Sequence, residues 1–447
     1  MAAKKKTFWN FFDNLEGDKV VWMIVLMLIL ASVLCIFSST SRLLDGDETR
    51  LDMVRNQFLI VILGLGIIIL CYNIKSMELF KWFSKFGFII SFILLLLLDI
   101  HIKTPFVKAI NLNDAYRILQ IEGVQIHVFE VVKVAMIMYI AWTLDYIKKN
   151  GATLKRKILM LYLPFVTTFT MVIPGSNSSA LFIAGVMFLT IVIGGGSLKD
   201  MMMLAGLGVV MLGLVMGIYG ISGGKAFKRI GTGISRVFVS EDHEQIFLDS
   251  KPNTIEWQDA LDKIRQPYGA KIAIHEGGLI GKGPGQSTQR YVVPDMSEDY
   301  MYSFIIEEYG LLGGILILVL YLSLLARGSI IARNCGKDIF AKSAVAGLCL
   351  LISGQAFLHM FVNVDIGPMT GQTLPLVSHG NSAFLCFSLA FGILLSFSRI
   401  AARRIEREQR ESAPLFELHE SVQADLADLV AFESGEMFGE EENENNG

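Results

Sequence analysis

Charge is scarce in this chain. Asp, Glu, Lys and Arg make up 18% of its 447 residues, against about a quarter in an ordinary soluble domain. The charges nearly cancel, leaving a formal net charge of -3. That balance argues against nucleic-acid binding as the main task, which needs a basic face. Cysteine is also sparse. Its five copies are Cys35, Cys71, Cys335, Cys349 and Cys386. None forms a CxxC pair, and none lies in the long polar segment that follows residue 221. This spacing argues against a disulfide framework and against a thiolate zinc site.

Apolar residues dominate instead, at 53% of the chain. Length alone suggests about three soluble domains, but the long apolar runs favour one polytopic helical bundle. A helix needs about 20 apolar residues to cross a hydrocarbon core of ~30 Å. About ten stretches qualify: 20–40, 57–73, 82–100, 128–146, 157–174, 178–195, 202–221, 301–326, 342–364 and 381–398. The fourth carries Glu130 and Lys133, whose spacing puts them on one helix face where they pair. The first lacks a small-residue cleavage site and reads as an uncleaved span. Phe8, Trp9, Phe11 and Phe12 ahead of it suit an interfacial anchor or an unstructured start.

Basic residues in the short loops orient the spans. Lys4, Lys5 and Lys6 precede the first span, and Lys75, Lys81 and Lys85 follow the second. Lys148, Lys149, Lys155, Arg156 and Lys157 follow the fourth. Arg327, Arg333, Lys337 and Lys342 follow the eighth, and Arg399, Arg403, Arg404 and Arg407 the tenth. With ten spans all of these fall on one side. The expected organisation is therefore an all-α membrane protein with both termini cytoplasmic. Residues 1–19 form a cytoplasmic start, and 20–398 a ten-helix domain with an extracytoplasmic loop at about 222–300. Residues 399–447 form a basic and then acidic tail expected to lack fixed structure. Its Ala424–Ala431 stretch reads as a short partner-binding helix or as a solubilising segment.

Acidic residues gather where the long loop meets the eighth span, at Pro294-Asp295-Met296-Ser297-Glu298-Asp299-Tyr300 and then Glu307-Glu308-Tyr309-Gly310. Ionisable groups at a membrane border are functional candidates by default. The competing role for Asp299 is a cap on the helix that follows. Upstream lies a glycine-rich run, Gly277-Gly278-Leu279-Ile280-Gly281-Lys282-Gly283-Pro284-Gly285-Gln286-Ser287. Such glycines let backbone N–H groups approach a pyrophosphate, or serve tight turns that need positive φ.

These blocks together resemble the SEDS family, the FtsW/RodA proteins of bacterial cell-wall synthesis. The family pattern G-x-G-x-G-x-S-x-Q meets Gly281 through Gln289. Its P-E-x-x-T-D-F meets Pro294 to Tyr300, and its E-E-x-G meets Glu307 to Gly310. A second block is similar at Gln355-Ala356-Phe357, Asn363, Pro368, Thr370-Gly371, Thr373-Leu374-Pro375 and Ser378-His379-Gly380-Asn381-Ser382. A weaker one runs Asn113-Asp114-Ala115-Tyr116-Arg117, then Glu130 to Lys133.

The resemblance implies a peptidoglycan glycosyltransferase that polymerises lipid II at the outer membrane face, beside a class B penicillin-binding protein. It implies Asp299 as catalytic general base. The leaving pyrophosphate needs cationic or metal help. Arg117 and Lys133 are candidates by family position, and Lys282 and Arg290 by proximity in sequence. A divalent Mg or Mn ion is possible, with no ligand set assigned. Gln289 and Ser378 are further substrate-binding candidates. Glu130, Glu307, Glu308 and Asn363 are expected to support the site.

The chain also departs from the family. Its Q-P-S-E reads His127-Val128-Phe129-Glu130 here, and its P-D-x-G-T reads Pro174-Gly175-Ser176-Asn177-Ser178. The expected Asp is thus Gly175, so a polar contact there is lost or rebuilt. Glu298 stands for a Thr and His379 for a Tyr. Glu298 either raises the Asp299 pKa by like-charge repulsion or points away. The long tail favours an FtsW-like division enzyme over a RodA-like elongation enzyme. A lipid II flippase and a non-catalytic scaffold for a penicillin-binding protein are the rival classes.

Overall fold

The computed structural model describes residues 16–39, 50–112, 115–151, 153–222, 240–252, 254–367 and 369–441. Lys4 to Lys6, the aromatic residues from Phe8 to Phe12, Asn113, Asp114, Pro368 and 442–447 lie outside them.

Helices form over each of the ten expected spans. They are α1 (Lys19–Ser39), α2 (Arg50–Asn73), α3 (Met77–Asp99), α4 (Val128–Asn150), α5 (154–172), α6 (Asn177–Ile193) and α7 (Leu198–Ile221). The long loop holds α8 (Ser240–Asp249) and α9 (Ile255–Gly277). Then come α10 (Met301–Asn334), α11 (Ile339–Asn363) and α12 (Asn381–Glu441). Among the described residues seven of these ten helices are long and apolar enough to cross a membrane: α1, α2, α3, α7, α10, α11 and α12. The other three fall short for separate reasons. α4 carries Glu130, Lys133, Asp145, Lys148 and Lys149. α5 is interrupted by a π turn at Ile158–Tyr162. α6 has only 17 residues.

α11 packs against α10, α4 and α6, and α12 lies along α2. The two ends of the bundle differ. At one end Asp18 caps α1 through the amides of Val20 (3.0 Å) and Val21 (3.2 Å) and accepts from Arg327 Nε (2.7 Å). Its own amide donates to Ser398 Oγ (2.7 Å), tying α1, α10 and α12 together. Asp299 and the glycine-rich loop occupy the opposite end.

The loop between α3 and α4, which the apolar pattern leaves unassigned, folds as a small antiparallel sheet. β1 (Val107–Leu112), β2 (Ala115–Ile121) and β3 (Val124–His127) pair in chain order. Glu122 (φ 47°) and Gly123 (φ 90°) join β2 to β3, the positive-φ pair that a two-residue hairpin turn demands. Ala115, Ile118 and Leu119 bury the sheet against the bundle. Amphipathic strands this short give little signal beside 20-residue apolar runs.

α10 is broken at Gly310 (φ 71°, ψ -177°). A break exposes backbone groups that must find partners at membrane depth. The glycine-rich loop supplies them. The amides of Lys282 and Gly283 donate to the carbonyls of Glu307 and Glu308, both at 2.9 Å. Beyond the break the amides of Leu311 and Leu312 donate to Gly278 O (2.9 Å) and Leu279 O (3.3 Å). The approach tolerates no side chain. A Cβ on Gly310 would sit 2.3 Å from Leu279 O, and one on Gly281 2.3 Å from Glu308 O. Both residues also have positive φ, so glycine is required twice over.

Candidate active site at the start of helix α10

Asp299 closes a tight turn just before α10. The amides of Glu298 and Asp299 both donate to Asp295 O (2.9 and 3.0 Å), and Asp295 itself has φ 53°. Three successive carbonyls of this segment are then held from outside. Ser297 O accepts from the amide of His379 (2.9 Å), Glu298 O from Ser378 Oγ (2.8 Å), and Asp299 O from Asn363 Nδ2 (3.1 Å). The backbone under Asp299 is therefore fixed by α11 and by the loop before α12.

The Asp299 side chain is half-buried and lines a cleft with Tyr300, Val362, Met369, Thr370, Gly371 and Gln372. Gly371 is the small residue beside both Asp299 and Arg117. A Cβ there would lie 3.5 Å from Asp299 Oδ2 and 4.0 Å from Arg117 Nη1. The sheet thus delivers Arg117 to the cleft, with its Nε donating to Gly175 O (3.0 Å).

That bond answers the question posed by Gly175. A Cβ at Gly175 would meet Phe129 Cζ at 2.4 Å and Tyr116 O at 2.8 Å, so no acidic side chain fits. The guanidinium is held by the backbone carbonyl instead. Neighbouring residues complete the substitution: Ser178 Oγ donates to Thr370 O (3.1 Å), and Ser179 Oγ accepts from Gln372 Nε2 (2.9 Å).

Lys133 sits behind the cleft and is buried. Its three protons go to Glu130 Oε1 (2.6 Å), Gln355 Oε1 (2.7 Å) and Gln372 Oε1 (2.7 Å). The expected Glu130–Lys133 pair is present and extends into a network that braces the Gln372 wall. Glu298 faces His379, with Oε1 and Nδ1 3.5 Å apart.

Lys282 and Gln289 lie elsewhere, in the lock around the helix break. Lys282 Nζ donates to Glu307 Oε1 (2.9 Å), Thr288 Oγ1 (2.7 Å) and the Glu276 carboxylate. Glu307 Oε1 also accepts from the amides of Thr288 (2.8 Å) and Gln289 (3.2 Å), and Oε2 from Ser287 Oγ (2.5 Å). Glu308 Oε1 accepts from Ser38 Oγ (2.5 Å) and from the amides of Gly285 (3.1 Å) and Ser287 (3.4 Å). Arg290 Nη1 bonds Ser38 O (2.8 Å) and stands 4.0 Å from Glu308. The glycine-rich run and the Glu-Glu pair, two motifs in the sequence, are one structural lock.

The model of the cell cycle protein family FTSW_RODA_SPOVE matches residues 18–403. The chain belongs to that family. It is 27% identical over 432 residues to the probable peptidoglycan glycosyltransferase FtsW of Enterococcus hirae, across 89% of this chain and 96% of the relative. It is also 27% identical over 407 residues to the peptidoglycan glycosyltransferase MrdB of Escherichia coli, across 88% and 95%. Among solved structures, a chain of a peptidoglycan synthase complex that coordinates polymerization and crosslinking superposes with a TM-score of 0.61 at 18% identity. That match covers 86% of this chain and 98% of the other, and it shares the all-α polytopic fold.

Sequence reasoning singled out Asp299 and Arg117, which meet beside Gly371, and Ser378, which instead holds the backbone before Asp299 through Glu298 O. It missed Gln372 and His359, which join the cleft wall to α4 and α10. Their signal is faint: a lone Gln and a lone His at membrane depth, each a polar residue that needs a partner there.

Proposed function

We propose that this protein is a peptidoglycan glycosyltransferase that polymerises lipid II at the outer face of the cytoplasmic membrane, with both termini cytoplasmic. The observation that carries the proposal is the cleft at the membrane border. It sets a half-buried Asp299 and the Arg117 guanidinium together beside Gly371. Full-length similarity to two named glycosyltransferases supports it.

In this reading Asp299 takes the proton of the acceptor sugar hydroxyl as that oxygen attacks the donor anomeric carbon. The bond from that carbon to the lipid pyrophosphate breaks, and a single displacement inverts the centre. Arg117 offsets charge on the departing pyrophosphate. Lys133 acts by holding Gln372, since its three protons are committed within the protein. Lys282 and Gln289 act on the lock, and through it on the angle at which α10 enters the cleft. Among the described residues no three His, Cys, Asp or Glu side chains cluster as a metal-holding group. A Mg or Mn ion would rest on one or two carboxylates together with the substrate phosphates. A class B penicillin-binding protein is the proposed partner, in keeping with the crosslinking complex that shares the fold. The FtsW and MrdB relatives are equally similar at 27%, so division and elongation stay level.

The test is polymerisation of labelled lipid II by the full chain co-purified with that partner, wild type against Asp299→Ala. Glycan chains from wild type and none from a folded Asp299→Ala protein are expected. Equal chains from both would overturn the Asp299 mechanism. No chains from either, with lipid II still bound, would turn the reading toward a transporter or scaffold.

A further inference from the structure

The first turn of α10 is capped from another helix. A helix start leaves amides without intrahelical partners, and α10 supplies no capping side chain of its own. Tyr302 N instead donates to His359 Nε2 (3.3 Å), and Ser303 N to Asn363 Oδ1 (2.9 Å). His359 and Asn363 are four residues apart on α11 and so reach the same turn. The other nitrogen of the His359 ring lies 2.7 Å from Gln372 O. A carbonyl only accepts, so Nδ1 carries the proton and Nε2 accepts from Tyr302; one neutral tautomer satisfies both contacts. His359 is 1% exposed, so the protein supplies both of its ring contacts. Gln372, on its far side, lines the cleft with Asp299.

We propose that His359 is a positioning residue for Asp299, a role that rests on the reading of Asp299 as the base. Asp299 stands three residues before Tyr302, the spacing at which a carboxylate caps a helix amide. A carboxylate so engaged is a weaker base, because hydrogen bonds to its charged form favour that form. His359 takes the amide and so keeps Asp299 from the cap. Through Gln372 O it also fixes the facing wall of the cleft. Other charged groups address the cleft: Arg117 from β2, Glu298 on the same turn with its partner His379, and Lys133 from α4 behind Gln372. All of them are unchanged in the variants that test the proposal.

The two contacts separate by mutation. In His359→Gln the side-chain amide reaches the Nε2 position, where its oxygen accepts from Tyr302 N. In His359→Asn the amide reaches the Nδ1 position, where it donates to Gln372 O and leaves the Tyr302 amide open. Lipid II polymerisation by the full chain with its penicillin-binding partner is measured across pH for both variants, beside Asp299→Ala. His359→Gln is expected to keep kcat within about threefold. His359→Asn is expected to lose about tenfold or more in kcat, because the carboxylate drawn to the open Tyr302 amide is a weaker base, with KM little changed. Its acid-side midpoint of kcat moves to lower pH as Asp299 swings to the open amide. A merely misfolded fraction lowers kcat without moving that midpoint. Equal losses in both variants, or an unmoved midpoint in His359→Asn, would overturn the proposal while Asp299→Ala stays inactive. Full activity in Asp299→Ala would instead overturn the reading of Asp299 on which it rests.

Discussion

Asp299 and the Glu307–Glu308 pair lie within nine residues of each other and are held in opposite ways. The two glutamates are fully buried; both oxygens of Glu307 and Oε1 of Glu308 accept from donors of the glycine-rich loop and of α1. Asp299 is held by its backbone. Its carbonyl goes to Asn363 and those of its two predecessors to Ser378 and His379, while its carboxylate lines a cleft beside Gly371. A carboxylate wrapped in protein donors stabilises a fold. One whose main chain is fixed, and whose side chain borders a cleft, is poised for a substrate.

The largest effect that sharpens this contrast falls on Asp299. Loss of a general base lowers turnover by about 10²–10⁴-fold. Asp299→Ala should do so in a protein that still folds, since the backbone contacts of residues 297–299 remain. Glu307→Ala should do the reverse. It leaves the buried donors of Ser287, Thr288 and Gln289 without their acceptor, and breaking a buried charged network costs about 3–5 kcal/mol. The expected result is a lower unfolding midpoint and yield, with turnover per folded molecule within a few-fold of wild type. A stable but inactive Glu307→Ala protein would erase the distinction between the two acidic groups.

Gly310→Ala probes the same lock through its backbone. Its Cβ would press on Leu279 O at 2.3 Å, in a conformation with φ 71°. Strain of this kind costs about 1–3 kcal/mol. The expected outcome is a lower unfolding midpoint by the same assay, with less loss than in Glu307→Ala. An unchanged midpoint would mean that the helix break is not locked by the loop.

How much of this was legible in the sequence follows from the length scale of each signal. The ten helices were readable because crossing a membrane demands long apolar runs, as at Lys19–Ser39. The motif residues Asp299, Arg117 and Ser378 were readable as chemistry, and Asn363 as their support. Their meeting was not, because Arg117 reaches the cleft only through a sheet between α3 and α4 that the apolar pattern does not mark. The glycine-rich run looked equally suited to a pyrophosphate or a turn. Its partner, the gap at Gly310, is created only when α10 breaks. The lost family Asp at Gly175 suggested a missing contact. The structure supplies a backbone carbonyl in its place, and no residue-by-residue comparison of side chains would show that.

Lys282 gives the smallest and most discriminating test, since proximity in sequence put it with the substrate and the fold puts it in the lock. The hydrogen bond from Lys282 holds the Glu276 carboxyl below its ordinary 4.5. Burial pulls the Lys282 ammonium down, but its hydrogen bonds to Glu276 and Glu307 outweigh that and keep it above 10.5. A depressed acid stabilises in full above its unfolded value and loses that stabilisation as pH falls through the folded one. A raised base stabilises in full below its unfolded value and loses it as pH rises through the folded one. The stability gap between wild type and Lys282→Met should therefore be level between 4.5 and 10.5 and shrink outside that window. It should also be small, because the partly exposed Lys282–Glu276 pair contributes about 0–1 kcal/mol and Glu307 keeps its donors from Ser287, Thr288 and Gln289. The thermal unfolding midpoint of both proteins across pH reads this directly. A raised KM for lipid II in Lys282→Met, with no stability gap at any pH, would move Lys282 out of the lock and back to the substrate.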